Sequence, residues 1–417
     1  MKTSGARDVY DVVVVGGGPS GMMAAARAGA RGKRVLLVEQ NTILGKKLLI
    51  TGGGRCNVTN NTLDVRTLLR KYKDAGKFLF SAFSQHSVAD TIAYFALLGV
   101  TFHEELEGRM FPSTNSAKTI RDALVSDIEK NNVEVRFGVP LTNIIFDAPS
   151  ALFILESAHE RIVAHAVVLA TGGTSHKETG STGDGFRFAT SLGHMVAENS
   201  FALVPITLSD AWAHVLAGVV LRDVKITLAV DGVTKTKIIG KFLFTHVGAS
   251  GPTILNMSKQ IGELLEEGSV TLSLDLFPAE DHGALRSRLT TLFAEDSNKM
   301  IKNVLRTMVP PALAPALLSQ LGLDGDTPCH SVSTEDRKAL VQLLKNIELH
   351  PDGLLGAEKA VVSAGGVSLE EVDFRTMESR IVPGLFLVGD VLNIDRPSGG
   401  YSLQLCWTTG AVAGSHV

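Results

Sequence analysis

The stretch DVVVVGGGPSGMMAAARAGARGKRVLLVEQ, from Asp11 to Gln40, carries a strand, a glycine turn, a helix, a second strand and a terminal acid in one run. Val12 to Val15 are continuously apolar, as in a parallel strand covered on both faces. Gly16, Gly18 and Gly21 satisfy the spacing GxGxxG. The first allows a tight turn, the second lets a pyrophosphate approach the backbone, and the third lets the next helix pack on the strand. The small residues Ala24 to Ala26 and Ala28 to Ala30 keep that helix close to the sheet. Its N-terminus offers free N–H groups and a positive dipole end to phosphate. Val35 to Val38 form the second strand, and Glu39 ends it where a carboxylate meets ribose hydroxyls. The combination specifies a dinucleotide-binding α/β unit.

Outward from this run, 417 residues provide for two or more substantial cores. The net charge of −3 implies no general attraction to nucleic acid or to anionic membrane. No apolar run approaches the roughly 18 to 20 residues of a membrane span. Lys2 and Arg7 precede an apolar stretch, but GGGPSG interrupts it, so it reads as a first strand rather than a signal peptide. The three cysteines, Cys56, Cys329 and Cys406, form no CxxC pair. They suit a reducing cytoplasm and argue against a disulfide framework, a zinc site or a dithiol centre.

After Glu39, a glycine-rich segment, NTILGKKLLITGGGRCNVTNN, reads as a long functional loop. A mixed helical region to about Lys130 precedes a strand at Val133 to Val139. The segments Leu152 to Leu155 and Val163 to Leu169 read as a small antiparallel meander returning to a central strand, AVVLATGG. From Phe201 the pattern changes. Leu203 to Leu208 and Val224 to Lys237 alternate like half-buried strands, with Asp231-Gly232 as a two-residue hairpin turn, and Val270 to Leu274 adds another. Residues 278–346 read as helical, with Ser333 as an N-cap and Asp336 three positions later. Gly365 and Gly366 read as a turn leading to a strand from Gly384 to Asp390 and a final helix from about Ser402. The expected architecture is a discontinuous Rossmann-like domain, 1–199 with 356–417. It carries an inserted antiparallel β-barrel, 200–277 with 347–355, and a helical module, 278–346.

The C-terminal segment FLVGDVLNIDRPSGGYSLQLCWTTGAVAG, from Phe386 to Gly414, separates the cofactors. A buried strand ends in Gly389-Asp390, and Gly399-Gly400 opens a helix soon after. An acid at that strand end suits a ribityl hydroxyl. A glycine-opened helix start suits a flavin pyrimidine ring, whose negative charge on reduction the dipole favours. A domain binding only NAD has no need of this second feature.

On these residues the chain resembles the bacterial YhiN- and BaiN-like flavoproteins. The match runs through GGGPSG, GKKLLITGGGRCNVTN, ATGG with GSTGDGF, FTHVGASGP, AGGVSLEEVD with TMESR, and GDVLN with GGYSLQ. The resemblance implies an FAD-binding domain of glutathione-reductase type with an inserted barrel. It implies that Gly16, Gly18, Pro19, Ser20 and Gly21 hold the pyrophosphate, and that Glu39 with Gln40 holds the adenosine ribose. Lys47 and the loop residues Gly53, Gly54, Arg55, Cys56 and Asn57 would run beside pyrophosphate and flavin. Val139 would meet the adenine through its backbone, and Ala170, Thr171 and Gly172 would line the same cleft. Gly389, Asp390, Gly399, Gly400, Tyr401 and Ser402 would hold the ribityl chain and the ring. Asp390, Asn393 and Ser402 depart from the Glu, Asp and Asn of many relatives, and His176 stands where many have an aromatic residue before proline.

The expected function is an FAD-dependent oxidoreductase passing hydride between flavin N5 and a small or medium organic molecule in a cleft between domain and insert. Family resemblance puts enone reduction of a bile-acid or steroid-like substrate first. Oxidation of an amine such as aminoacetone is second, and a tRNA-modifying flavoprotein, disfavoured by the near-neutral charge, is third. A single fingerprint leaves NAD(P)H as a transient reductant at the flavin face. His246 is a candidate proton donor, and also reads as a loop-holding histidine. Cys56 is a candidate redox residue, and also reads as a small buried side chain. Ser250 lacks the GxSxG setting of a nucleophile, and Arg109 and Arg222 read as solvated surface.

Overall fold

The computed structural model describes residues 9–355 and 362–417. Lys2, Arg7 and the expected domain boundary at 356 lie outside the described residues. The chain divides into two compact units, Met1–Phe201 with Ala360–Val417, and Ala202–Lys359.

The first unit is built on a sheet whose centre is parallel. Strand β1 (Val9–Val15) lies between β2 (Val35–Glu39) and the strand Arg161–Leu169. The helix between the first two strands, α1, spans Pro19–Ala30. The register sets Val12 against Val35 and Val14 against Val168. Val12, Val13 and Val14 have no exposed surface, which explains their unbroken apolar run. Two helices, α2 (Gly76–Gln85) and α3 (Val88–Leu97), and then α4 (Ala117–Lys130), precede the edge strand β3 (Glu134–Phe137). The meander is β4 (Leu141–Asp147), β5 (Leu152–Ser157) and β6 (Arg161–Leu169). The alternation of β4 was missed in the sequence because polar Thr142 and Asn143 break its start.

In the second unit, β7 (Val220–Val230) and β8 (Val233–Thr245) form a hairpin turning at Asp231 and Gly232, both with φ above +40°. Helix α5 (Pro252–Glu267) leads to β9 (Val270–Asp275), which pairs with β7. The seven-stranded sheet begins at Ile347–Leu349 and ends at Pro351–Leu354. Its two edge strands are neighbours in the chain, so the sheet must curl round. Between β9 and Ile347 come further helices, including α6 (Thr334–Lys345), whose N-cap Ser333 accepts a hydrogen bond from Asp336 N–H. This unit has a separate core, including Ile226, Phe242, Phe244 and Leu272.

The chain then returns to the first unit. Gly365 and Gly366 form no turn: they lie within the strand Val362–Val367, with φ of +116 and +134. A Cβ on Gly366 would stand 2.6 Å from the Val391 carbonyl oxygen, so a positive φ and the close approach of the turn at Val391, not chain reversal, account for the glycine. Strand β10 (Leu385–Leu387) adds in parallel to β6, and helix α7 (Tyr401–His416) packs along α1. The strand expected to reach Asp390 stops at Leu387, because Gly389–Val391 form a single 3-10 turn.

Candidate functional site

The first unit contains a cleft at the C-terminal ends of β1, β2 and β6, with a cavity volume of about 190 Å³. This is where open parallel sheets place their ligands. At its floor Gly16 adopts φ +104, and a Cβ there would lie 2.6 Å from the Ala170 carbonyl oxygen. A Cβ on Gly21 would collide with the Gly16 carbonyl at 1.9 Å, whereas one on Gly18 would meet open space. The two glycines do different work: Gly21 packs helix on strand, and Gly18 leaves room for a ligand. Helix α1 starts at Pro19 with no side-chain cap, so its first N–H groups face the cleft unpartnered by any side chain. Glu39 is buried at the tip of β2. One carboxylate oxygen accepts from Gly17 N–H at 2.7 Å, and the other from the Asn41 backbone and amide, each at 2.7 Å.

The C-terminal segment supplies the facing wall, with Asp390, Ser402, Leu403 and Cys406. Asp390 is bound by Arg396, whose guanidinium also donates to the Ile394 carbonyl at 2.6 Å and to Ser402 Oγ at 3.1 Å. Arg396 is 2% exposed. Lys47, also lining the cleft, is half-buried and donates to Ser175 Oγ at 3.2 Å. Desolvation holds its pKa below the usual lysine value, partly offset by the nearby Asp390 carboxylate. Two cations thus flank the Asp390 carboxylate, while Glu39 stands apart at the tip of β2. Burial pushes the Cys406 thiol up to about 12, so it remains protonated at neutral pH.

The cleft brings together Gly16, Gly18, Pro19, Ser20, Glu39, Gln40, Lys47, Val139, Ala170, Thr171, Gly172, Asp390 and Ser402. Gly21 and Gly389 stand behind its wall, in packing contacts with Gly16 and Ser20. Gly53, Gly54, Arg55, Cys56, Asn57, Gly399, Gly400 and Tyr401 do not line it. Several of these fasten the start of α7 instead. Asn57, in the amide orientation that satisfies its neighbours, accepts from Gly400 N–H at 3.0 Å. Asn60 donates to the Gly399 carbonyl at 3.1 Å, and Tyr72 Oη to the Tyr401 carbonyl at 2.9 Å. Arg55 pairs with Glu105 at 2.6 Å and lies over the Phe111 ring. Cys56 has no exposed surface, and burial pushes its thiol up to about 12, so it stays protonated at neutral pH. His246 is exposed in the turn after β8, in the other unit.

Sequence reasoning missed Arg396, Cys406 and the lining loop Thr179–Asp184. Gln40 donates to the Gly180 carbonyl at 2.5 Å, and Lys46 to the Glu178 carbonyl at 2.7 Å, which fixes that loop. The close spacing of Asp390 and Arg396 is the signal in the sequence, masked because arginines are most often solvated.

The residues fit FAD on their own terms. Gly18 leaves a cradle open, α1 and α7 begin without side-chain caps, and the buried Thr171 Oγ1 has no hydrogen-bond partner among the described residues. Comparison with known proteins agrees. The ribosomal RNA dihydrouridine synthase of Escherichia coli is 32% identical over 96% of this chain and 96% of its own length. The 3-dehydro-bile acid delta(4,6)-reductase of Clostridium scindens is 30% identical over 96% of this chain and 97% of its own. Among solved structures, an open-conformation flavocytochrome c3 fumarate reductase superposes with a TM-score of 0.56. At 15% identity it covers 99% of this chain and 78% of that one, a likeness of fold. The family described as HI0933-like protein Rossmann domain matches residues 10–416. By this match the chain belongs to the HI0933-like Rossmann family, and it is an FAD-dependent oxidoreductase.

Proposed function

We propose that this protein reduces a carbon–carbon double bond conjugated to a carbonyl group. One observation carries the reading: two relatives that match along the whole chain act on unlike molecules but on one kind of bond. Dihydrouridine is uridine with its 5,6 double bond reduced, and that bond is conjugated to the C4 carbonyl. A delta-4,6 bond pair in a 3-oxo steroid is conjugated in the same way. Amine oxidation has no counterpart in these relatives.

The uncapped start of α1 with Gly16 to Ser20 holds the pyrophosphate, Glu39 the adenosine ribose, and Asp390 the ribityl chain. When bound, FAD supplies hydride chemistry, with NAD(P)H as the source of the electron pair. The substrate gains hydride at the β carbon and a proton at the α carbon, and NAD(P)+ is released. Around that step the start of α7, Lys47 and Arg396 favour negative charge. Arg396 also keeps Asp390 oriented.

The test uses the purified flavoprotein without oxygen. NADPH or NADH should bleach the visible flavin bands, and a conjugated enone or a uridine-containing RNA should restore them with the saturated product. Bleaching by aminoacetone, with no recovery on either acceptor, would overturn the reading.

A further inference from the structure

The chain's net charge conceals a local excess on the hairpin of β7 and β8. Arg222, Lys225, Lys235, Lys237 and Lys241 all lie on it, against Asp223 and Asp231. Asp231 is engaged at the turn, accepting from Ser269 N–H at 3.0 Å. Lys225 shares Asp275 with Lys345. Arg222, Lys235, Lys237 and Lys241 make no ion pair among the described residues.

The register places these cations. Thr227 of β7 stands opposite both Lys237 of β8 and Ser273 of β9, and Lys225 stands opposite Ile239. Opposed residues share a face, and Val224, Ile226 and Leu228 occupy the buried face. Lys237, Ile239 and Lys241 therefore line the outer face, with Lys225 beside them and Thr227, Thr271 and Ser273 as a small polar floor. Lys235 occupies a bulge between Thr234 and Thr236. Lys237 is exposed and Ile239 is 59% exposed. Alternate residues of a strand are about 6.6 Å apart, comparable with successive phosphates of an extended single strand. Asp275 is paired and Glu348 at the edge accepts from Asn346, while exposed Asp223 lies in the irregularity of β7 that faces Lys241, one carboxylate against the row of cations.

We propose that this outer face docks the sugar–phosphate backbone of a single-stranded RNA substrate. The inference rests on the reading that the substrate is a conjugated double bond. Hydride reaches a uracil ring from above its plane, so the base must leave its stack. That costs a few kcal/mol, which contacts to the backbone must offset. A row of unpaired lysines supplies such contacts without reading sequence.

The test measures binding of the FAD-loaded full chain to a fluorescent oligouridylate and to a ribosomal RNA fragment across a salt series. The triple variant K235Q/K237Q/K241Q should bind at least tenfold more weakly at low salt. Its log–log salt slope should fall by about 2, at roughly 0.7 per lost phosphate contact. A control removing Lys71, Lys77 and Lys130 of the other unit should leave the slope unchanged. The triple variant should keep its flavin content and its rate on a free enone. That assay tests the parent reading separately, since RNA binding can fail while enone reduction persists. Equal RNA binding by the triple variant and the parent, no RNA binding by the parent, or binding to phosphatidylglycerol vesicles in place of RNA would overturn the proposal. If the triple variant misfolds, K237Q/K241Q alone should still lower the slope by more than 1.

Discussion

At the scale of the residue, the site is made by what side chains are absent as much as by those present. Gly18 and Gly21 belong to one motif yet predict opposite failures. Gly18→Val projects into open cleft at an ordinary backbone angle, so the apoprotein should melt unchanged while FAD affinity falls more than tenfold. Gly21→Val drives a side chain into the Gly16 carbonyl and should cost about 3 kcal/mol or more, visible as a lowered melting temperature with or without FAD. Flavin titration alongside thermal melts separates the two. Arg396 and Asp390 form the second residue-scale case. Arg396→Met leaves a carboxylate without its cation, and Asp390→Asn leaves a buried guanidinium unpaired. Each should destabilise by about 3 kcal/mol, and the double variant should recover most of that loss. Additive losses in chemical denaturation would show that the pair is not coupled.

At the scale of the element, α7 is the strut that closes the site, and its attachments come from far back in the chain. Gln404 donates to Thr91 at 2.9 Å and to Thr408 at 3.0 Å, while its carbonyl accepts from Thr59 at 2.6 Å. Trp407 donates to the Val58 carbonyl at 2.9 Å. Between α2 and α3, His86 joins this network: its carbonyl accepts from Thr408, and its ring meets Thr91 Oγ1 at 3.1 Å. Burial lowers the His86 pKa to about 4. The folded state therefore binds this proton less readily than the unfolded chain, whose histidine titrates near 6.5. Stability from the neutral ring is intact above pH 6.5 and declines as the pH falls toward 4, by about 3 kcal/mol in all. Denaturant titrations at pH 7 and pH 5 should differ by about 2 kcal/mol from this group, and His86→Gln should flatten the difference.

At the scale of the whole molecule, two cores sit in two chain units, and the cleft belongs to the first alone. Calorimetry should therefore resolve two transitions. FAD at a hundred times its dissociation constant should add about 2.7 kcal/mol to one of them and leave the other in place. A single transition that moves as one would mean that the units unfold together.

The local chemistry of this chain was legible because each signal is local in sequence. A buried parallel strand must be apolar throughout, a turn at Gly16 must tolerate positive φ, and Asp231-Gly232 must reverse the chain. Each requirement acts on a few consecutive residues. The same holds for Ser333, which caps α6 through a residue three positions away. Other features depended on partners that only folding supplies. Arg396 looks like a surface residue until burial against Asp390 gives it a counter-charge. Gly366 looks like a turn until the Val391 carbonyl shows that the neighbouring backbone needs the space. The loop Gly53 to Asn57 reads as a cofactor cradle, and in part it anchors α7, because Gly400 lies against Thr59. Net charge, a sum over the chain, could not report lysines that a strand register gathers on one face. Composition and spacing determined which kinds of element and ligand this polypeptide takes. The tertiary structure decided which charges are paired, since pairing depends on distances that close only when remote segments meet.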